Sequence, residues 1–267
     1  MIRIGPAGYP SGSRGPEDAI DAVASMGLSA LEMQFGRGVR MDLERATAIG
    51  RHAFSAGVRL SAHAPYYVNF HSQSQETRDR SIGWVMDTVR VCHRLNASPA
   101  VIHAASYGKD KEGSTASVID GLGRCLEIMD REGIRNVRLG LEAMGKKSSW
   151  GTLDELEDAV QALSQAIPVL DLAHLHARDG GFLDSEHKVR EILRRGRRMS
   201  DGPLHLHVSG IEFGERGERK HLPLDSGSPD TGLLLAPLRE LTEDVTVIVE
   251  SPLPERDAVW LLSRLRQ

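Results

Sequence analysis

Residues 137–165 read VRLGLEAMGKKSSWGTLDELEDAVQALSQ and contain one complete structural unit. An apolar run from Val137 to Ala143 is followed by a polar loop and then by a stretch with helical spacing. Thr152 and Glu155 have the spacing of a capping box, which marks the beginning of a helix. Another apolar run follows over residues 169–173. The segment therefore predicts a β-strand, a loop, a helix and a second strand.

The same alternation recurs along the whole chain. It predicts strands at residues 2–5, 30–35, 59–64, 100–104, 137–143, 169–173, 204–208 and 245–250, and helices at about 16–27, 42–56, 76–95, 115–132, 152–165, 185–198, 230–241 and 254–266. Eight units in 267 residues average about 33 residues, the size of a strand and its crossover helix. Because no Pro/Ser/Gly-rich linker interrupts them, we predict a single-domain (β/α)₈ TIM barrel over residues 1–267. An open doubly wound sheet is the main alternative, and the lack of a GxGxxG loop after the first strand argues against it.

Composition excludes several functional classes. Hydrophobic residues make up 40% and charged residues 26%, which is typical of a soluble globular protein. With 33 basic and 37 acidic residues the net charge is −4, so any contact with nucleic acid has to be local. The few aromatic residues (Phe 5, Trp 3, Tyr 4) argue against a stacking platform for single strands. Cys92 and Cys125 are expected to be buried thiols, and without a targeting or membrane-spanning segment we expect a cytoplasmic protein.

Six consecutive predicted strands, from the third to the eighth, end in an imidazole or a carboxylate. These residues are His63, His103, Glu142, Asp171 with His174, His205 with His207, and Glu250. In a parallel barrel all these strand ends share one rim, so the side chains should converge. Ionisable groups at the ends of apolar strands are costly to desolvate unless something pairs with them. Divalent cations would supply that pairing, because zinc accepts imidazole and carboxylate ligands without any cysteine.

The remaining histidines lack this placement or leave a choice. His205 and His207 point to the same side of a strand, so either could be a ligand, and His207 is preferred because it lies nearer the rim. Four further histidines fall on predicted helices or loops and are expected at the surface: His52, His71, His93 and His187.

The strand-end motifs resemble those of the endonuclease IV family, metal-dependent apurinic/apyrimidinic endonucleases within the xylose isomerase-like barrels. The resemblance covers residues 61–251 and is carried by AHAPYYVN at 62–69, VIH at 101–103, LE at 141–142, LDLAH at 170–174, HVS at 207–209 and VE at 249–250. It implies hydrolysis of the phosphodiester 5′ to an abasic site in DNA, a step of base excision repair. The product ends would be a 3′-hydroxyl and a 5′-deoxyribose phosphate.

The resemblance also implies a set of metal ligands and catalytic residues. A first zinc would be held by His63, His103 and Glu142, and Glu142 would bridge to a second zinc bound also by Asp171, His207 and Glu250. Glu142 and Glu250 are thus the expected catalytic carboxylates. Two cations joined by a carboxylate can share a hydroxide that is nucleophilic at neutral pH, and they also stabilise charge on the phosphate. We expect two or three zinc ions per chain, with manganese as the alternative.

A third zinc would involve His174, but the sequence departs from the family pattern there. The family has an Asp-x-His pair after the seventh strand, whereas this chain reads ERGERKH at 215–221. Glu218 and His221 could replace that pair with a changed spacing. The other interpretation is a solvated loop whose basic residues contact phosphate.

Contacts with double-stranded DNA are expected from loops at the same rim. Arg37, in a Gly-rich basic loop after the second strand, and Tyr66, after the third, occupy positions where the family inserts side chains into the duplex. Lys109, Lys146 and Lys147 could contact phosphates, although each could equally be an ordinary exposed charge. Base stacking in a DNA duplex is opened most easily where a base is missing, so such insertion would favour binding at abasic sites. Because a nuclease has to leave its rim free for a duplex, we expect a monomer.

Two other functional classes compete with this hypothesis. A sugar isomerase or epimerase of the same barrel group needs one cation held by a set such as Glu142, Asp171, His207 and Glu250. It does not need His63, His103 and His174, so those histidines favour the nuclease. A non-catalytic barrel would be expected to have lost some of the rim ligands, and nearly all remain.

Overall fold

The computed structural model describes all residues from Met1 to Gln267. The strands are β1 (Ile2–Pro6), β2 (Ala30–Gln34), β3 (Arg59–His63), β4 (Ala100–Ile102), β5 (Leu139–Glu142), β6 (Ala166–Asp171), β7 (Leu204–Val208), β8 (Gly210–Gly214), β9 (Gly217–Leu222) and β10 (Val245–Val249). The helices are α1 (Pro16–Ser25), α2 (Leu43–Ser55), α3 (Gln75–Leu95), α4 (Ser114–Arg131), α5 (Leu153–Ala162), α6 (Leu172–Arg178), α7 (Glu186–Met199), α8 (Gly232–Arg239) and α9 (Pro254–Leu265).

Eight parallel strands form the barrel in the order β1-β10-β7-β6-β5-β4-β3-β2. A parallel bridge between Ala7 and Glu32 joins the two ends of this order, so the barrel is nearly closed. The predicted (β/α)₈ fold is confirmed. No helix is both long and apolar enough to cross a membrane.

Local signals in the sequence set several helix beginnings. Thr152 caps α5, and its hydroxyl accepts from the backbone of Glu155 while the Glu155 carboxylate accepts from the backbone of Thr152, as the capping box predicted. Pro16 occupies the first turn of α1, where a missing N–H costs nothing. Since helices run back along the outside of the barrel, these helix beginnings lie at the same end as the carboxyl ends of the strands.

The chain departs from prediction around the sixth and seventh strands. The sixth strand was expected over 169–173, but β6 ends at Asp171, whose side chain accepts from the backbone N–H of His174 at 2.7 Å and caps α6. His174 therefore lies in the first turn of a helix, and its prediction as a strand-end residue was wrong. No strand or helix was predicted between the seventh strand at 204–208 and the helix at 230–241, but this segment contains the antiparallel hairpin β8–β9.

The close approach of β1 and β2, the two strands that close the barrel, can be tested by mutation. A Cβ atom on Gly5 would lie 1.6 Å from the carbonyl oxygen of Ala30, whereas one on Gly83 in α3 would meet nothing within 4 Å. We expect Gly5→Ala to lower the free energy of unfolding by about 3 kcal/mol or more, because backbone has to move. Gly83→Ala should raise it by about 0.5–1 kcal/mol through helix propensity. Urea denaturation of both variants measures the difference, and equal stabilities would contradict the packing described.

Candidate metal centre

The barrel brings the predicted strand-end side chains together at one mouth. Six of them come from the ends of β3, β4, β5, β6, β7 and β10: His63, His103, Glu142, Asp171, His207 and Glu250. Parallel pairing aligns Asp171 with His207 on the adjacent strand. Four of these residues are buried, and His103 and Glu250 are partly buried. The ligand atoms of Glu142, Asp171, His207 and Glu250 all lie within 4.8 Å of one another.

A first cluster joins His63, His103 and Glu142. Glu142 Oε2 lies 3.1 Å from His63 Nε2 and 2.8 Å from His103 Nε2, and the two Nε2 atoms are 3.3 Å apart. His63 Nδ1 lies 2.8 Å from the carbonyl oxygen of Ala64, which can accept only from an N–H. The Nε2 atom of His63 is thereby left to the cluster, in the tautomer that a cation requires.

A second cluster lies deeper and shares Glu142 with the first. It contains Glu142, Asp171, His207 and Glu250. His207 Nδ1 is 3.5 Å from Glu142 Oε1 and 3.4 Å from Glu250 Oε1. Because Glu142 directs one carboxylate oxygen to each cluster, it has the geometry of a bridging ligand.

Unpaired atoms in this second cluster test whether it suits a cation. Glu142 Oε1, Asp171 Oδ2 and His207 Nδ1 are buried and have no hydrogen-bond partner. Glu142 Oε1 also lies 3.2 Å from His174 Nδ1, but that nitrogen directs its hydrogen bond to the carbonyl oxygen of Ala143. Leaving three such groups unpaired would cost several kcal/mol, and a divalent cation among them would remove that cost. The residues therefore fit a metal ion.

A third cluster contains His174, His221 and Glu218. His174 Nε2 lies 3.1 Å from His221 Nε2 and 3.5 Å from Glu218 Oε2. Both imidazoles direct Nδ1 to a backbone carbonyl, His174 to Ala143 and His221 to Glu250, so both Nε2 atoms face the same point. The hairpin thus brings Glu218 and His221 to His174, although an Asp-x-His pair is missing.

The carboxylates shift the pKa values of the imidazoles upward. Burial alone would lower the pKa of His63, but the hydrogen bond to Glu142 and its charge raise it to about 8. Burial likewise opposes protonation of His174, and the charges of Asp171 and Glu142 raise its pKa to about 10. For His103 burial prevails and the pKa is lowered. Without a cation the centre therefore holds protons near neutral pH.

The two central carboxylates are shifted in opposite directions. Burial would raise the pKa of Glu142, but the charges of His103 and His207 hold it well below the usual range. The pKa of Glu250 is raised, first by burial and then by the neighbouring carboxylates, against the charge of His207. Glu142 is thus the anion around which the centre is arranged.

Sequence reasoning missed Glu32, a fully buried carboxylate in the middle of β2. Its Oε2 atom lies 3.1 Å from His205 Nε2 and 3.3 Å from His207 Nε2. Of the two histidines left open by the sequence, His207 lies in the second cluster, while His205 lies one layer deeper against Glu32. An acidic residue inside an apolar strand was the available signal, because such a residue needs a partner.

The other histidines lie outside the centre. The four that were predicted at the surface are exposed or partly buried: His52, His71, His93 and His187. His176 was not anticipated and is buried, with Nδ1 accepting from the backbone of Leu183 and Nε2 3.2 Å from Ser228 Oγ. It connects α6 to the segment that follows the hairpin.

A cleft of about 540 Å³ opens above the first and third clusters. Tyr66 and Lys146 line it, and the Tyr66 ring centroid lies 5.0 Å from that of His63. Arg37 and Lys109 are exposed on the loops after β2 and β4 and do not line the cleft. The structure thus brings Tyr66 and Lys146 to the cleft, whereas the other three predicted DNA-contacting residues, Arg37, Lys109 and Lys147, do not line it.

Fold and site together define a (β/α)₈ barrel with a candidate centre for divalent cations. The model of the xylose isomerase-like TIM barrel family matches residues 20–267, and the chain belongs to this family. The chain is 30% identical to the uncharacterized protein MJ0133 of Methanocaldococcus jannaschii over 267 aligned residues, which cover 98% of this chain and 96% of that protein.

Solved structures of two different kinds share the fold. Endonuclease IV from Thermus thermophilus superposes with a TM-score of 0.78 at 22% identity, covering 99% of this chain and 97% of that one. The 3-keto-D-glucoside 4-epimerase YcjR from E. coli superposes with a TM-score of 0.75 at 16% identity, covering 100% and 99%. At these identities the similarity shows the fold alone, and function has to be argued from the site.

The raised pKa values predict that cation binding displaces protons. At pH 7 His63 and His174 are protonated in the metal-free protein, with pKa values of about 8 and about 10. Against burial, the charges of Glu250, Glu32 and Glu142 also raise the pKa of His207 well above its usual value. Each of these nitrogens must lose its proton to ligate. Zinc binding should therefore release about three protons at pH 7, one from each of these ligands, and its affinity should rise between pH 6 and pH 8. Calorimetry in buffers of different ionisation enthalpy counts the protons.

Two variants control this measurement. His63→Gln should lower the number of released protons by about one, because it removes one protonated ligand. His187→Gln changes an exposed histidine on α7 and should leave proton release and affinity unchanged. Binding without proton release and without pH dependence would contradict the electrostatic description.

Proposed function

We propose that the protein is a divalent-metal phosphodiester hydrolase that cleaves DNA 5′ to abasic sites. The observation that carries the proposal is the presence of three ligand clusters rather than one. A sugar isomerase or epimerase needs only the set of Glu142, Asp171, His207 and Glu250. The first and third clusters add four imidazoles around the same mouth, which such an enzyme would leave without a role: His63, His103, His174 and His221.

In this proposal the ligands divide by cluster. His63, His103 and Glu142 would hold one cation, Glu142, Asp171, His207 and Glu250 a second, and His174, His221 and Glu218 a third. Cations held there supply a water nucleophile at neutral pH and neutralise charge on the phosphodiester. The chain's own contribution is to fix Glu142 between two clusters and to exclude water from its buried side.

The basic side chains around the cleft support a polyanionic substrate. Six exposed ones on the loops after β2, β4, β5 and β8 form no ion pair within 4.0 Å: Arg37, Arg40, Lys109, Lys146, Lys147 and Arg216. The hairpin docks on the loop after β5 through a bond from the Lys147 amide to the carbonyl oxygen of Arg216, which holds these two basic residues side by side. Local positive charge of this kind suits a phosphate backbone although the chain is acidic overall.

Tyr66 is placed where an inserted side chain would act. Its side chain is 55% exposed, its hydroxyl donates to Gln34 Oε1 at 3.1 Å, and its ring packs on Gly36, where a Cβ would lie 2.4 Å away. An aromatic ring held rigidly beside the ligands could fill the gap left by a missing base, which makes opening of the stack cheaper at a lesion.

A nicking assay on a duplex with one abasic-site analogue tests the reaction. We expect a single nick 5′ to the lesion that leaves a 3′-hydroxyl extendable by a polymerase, loss of the activity with chelator, and its return with zinc or manganese. Glu142→Gln should lower the rate by about 10³-fold or more, because several kcal/mol of stabilisation by the bridging charge are lost. Glu127→Gln makes the same change at an exposed position of α4 and should leave the rate unchanged.

The same preparation separates the competing function. Protein that holds one cation per chain, leaves the duplex intact and epimerises a ketose would contradict the proposal and favour the epimerase. Epimerisation is the second candidate because the deep four-residue cluster alone would serve it.

Removal of charge at the rim tests the DNA interface. In a Glu142→Gln background, Lys146→Ala with Lys147→Ala should weaken binding to all duplexes and make the slope of log K against log[salt] shallower by about 1 to 2. The control pair, Arg94→Ala with Arg131→Ala, changes exposed charges at the opposite end of the barrel, in the last turns of α3 and α4. Equal effects of the two pairs, measured by fluorescence anisotropy, would contradict the interface.

A further inference from the structure

Glu32 is a buried charge that the proposed reaction does not use. Its side chain is 0% exposed, and its only ion-pair partners are His205 and His207. Ser61 Oγ donates to Oε2 at 2.9 Å, and the Gln34 amide donates to Oε1 at 3.2 Å. Both oxygens therefore have hydrogen-bond donors. A carboxylate at this depth costs several kcal/mol unless its partners are well placed, so the arrangement requires an explanation.

The explanation lies in the two sides of the His207 ring. Nε2 faces Glu32 Oε2 at 3.3 Å, whereas Nδ1 faces Glu142 and Glu250 and has no hydrogen-bond partner. A neutral imidazole carries one N–H, and a carboxylate can only accept. In the neutral form of the ring, the only form that can ligate, ionised Glu32 keeps the proton on Nε2, and the lone pair of Nδ1 is directed into the second cluster. A carboxylate behind a histidine ligand also fixes the ring orientation and raises the ligand's basicity.

We propose that Glu32 is a positioning residue that fixes the tautomer and orientation of His207 for cation binding. Ser61 and His205 hold Glu32 in place, since both contact the same oxygen that His207 contacts. The proposal rests on cation binding at the second cluster, but it is independent of the substrate.

A fourth cation between Glu32, His205 and His207 is the competing explanation, because these groups also lie within ligand distance of one another. The hydrogen bonds disfavour it. Neither oxygen of Glu32 is left without a donor, whereas the orphaned atoms of the neighbouring cluster all belong to Glu142, Asp171 and His207 Nδ1. Glu32 is already satisfied by the chain itself.

Metal titration of Glu32→Gln tests the proposal. The protein is stripped with chelator and titrated with zinc against a chromogenic competitor. We expect the number of zinc ions per chain to stay at the wild-type value and one binding step to weaken about 10–100-fold, the effect of losing such a partner. In ¹⁵N spectra of zinc-loaded wild-type protein with labelled histidine, the His207 signals should show one form, with metal on Nδ1 and the proton on Nε2. In Glu32→Gln this single form should be lost.

A double-mutant cycle distinguishes positioning from a general structural role. In a His207→Ala background Glu32→Gln should no longer change any zinc affinity, because its effect passes through His207. Asp244→Asn is the control: that carboxylate is partly buried and accepts hydrogen bonds from Arg3 and Arg59 at the amino ends of β1 and β3, the end of the barrel opposite the second cluster. It should affect the melting temperature and leave zinc binding unchanged.

Ser61→Ala keeps the test informative should Glu32→Gln fail to fold. It removes one donor to Glu32 and should weaken the same binding step by a smaller factor. Unchanged affinity in a folded variant, or an effect that persists without His207, would overturn the proposal. Loss of one whole zinc equivalent from Glu32→Gln would also overturn it, in favour of a fourth cation site. The experiment measures metal binding and not DNA cleavage. Failure to nick abasic DNA would therefore contradict the proposed function but not the role of Glu32.

Discussion

The burial of the Glu142 carboxylate is the constraint on which the site depends. It lies at the end of β5 with no exposed surface, and the imidazoles of His63, His103, His174 and His207 approach it from four other elements. Removing a carboxylate from water costs several kcal/mol, and attraction in a medium of low polarity offsets this only when the partners are well placed. The parallel barrel meets that condition, because every strand delivers its carboxyl end to the same mouth.

The loop after β5 and the β8–β9 hairpin supply the part of the site that the barrel strands do not. Arg178, at the end of α6, donates to the carbonyl oxygens of Met144, Lys146 and Ser149, and so holds the loop after β5 against the barrel. The hairpin then packs on that loop so closely that a Cβ on Gly217 would lie 2.1 Å from the Gly145 carbonyl oxygen. The Arg178 bonds to the loop and the backbone bonds between loop and hairpin therefore place Glu218 and His221 opposite His174.

The sequence predicted those parts of the site that depend on local patterns of apolar and ionisable residues. Apolar runs alternating with helical periods predicted the barrel, and ionisable residues at the strand ends predicted a shared mouth. The position of His174 was not accessible, since DLAHL at 171–175 reads as apolar strand until Asp171 is seen to cap a helix. Polar residues concealed the hairpin in the same way, because only Ile211 and Phe213 of β8 pack against α6, too few apolar positions to give a strand pattern.

Glu32 escaped prediction for a different reason. Its partner His207 is 175 positions away along the chain, and no local pattern links β2 to β7 across the barrel. The only sequence signal for such a residue is a carboxylate at a position where the rest of the strand is apolar and predicted to be buried. Conflicts between local preference and position are expected where function requires them.

The first and third clusters are more exposed to the cleft than the second, and this difference favours the proposed hydrolase. The side chains of Glu142 and His207 are 0% exposed, whereas those of His103 and His221 are 23% and 21% exposed. A phosphate entering the cleft would therefore meet the first and third clusters, and the second would act from beneath through the shared Glu142. Glu250 is the member of the second cluster that lines the cleft, with 14% of its side chain exposed, so a small ligand would reach this cluster at Glu250. A duplex lying across the mouth would meet the partly exposed histidines of the first and third clusters without entering the barrel.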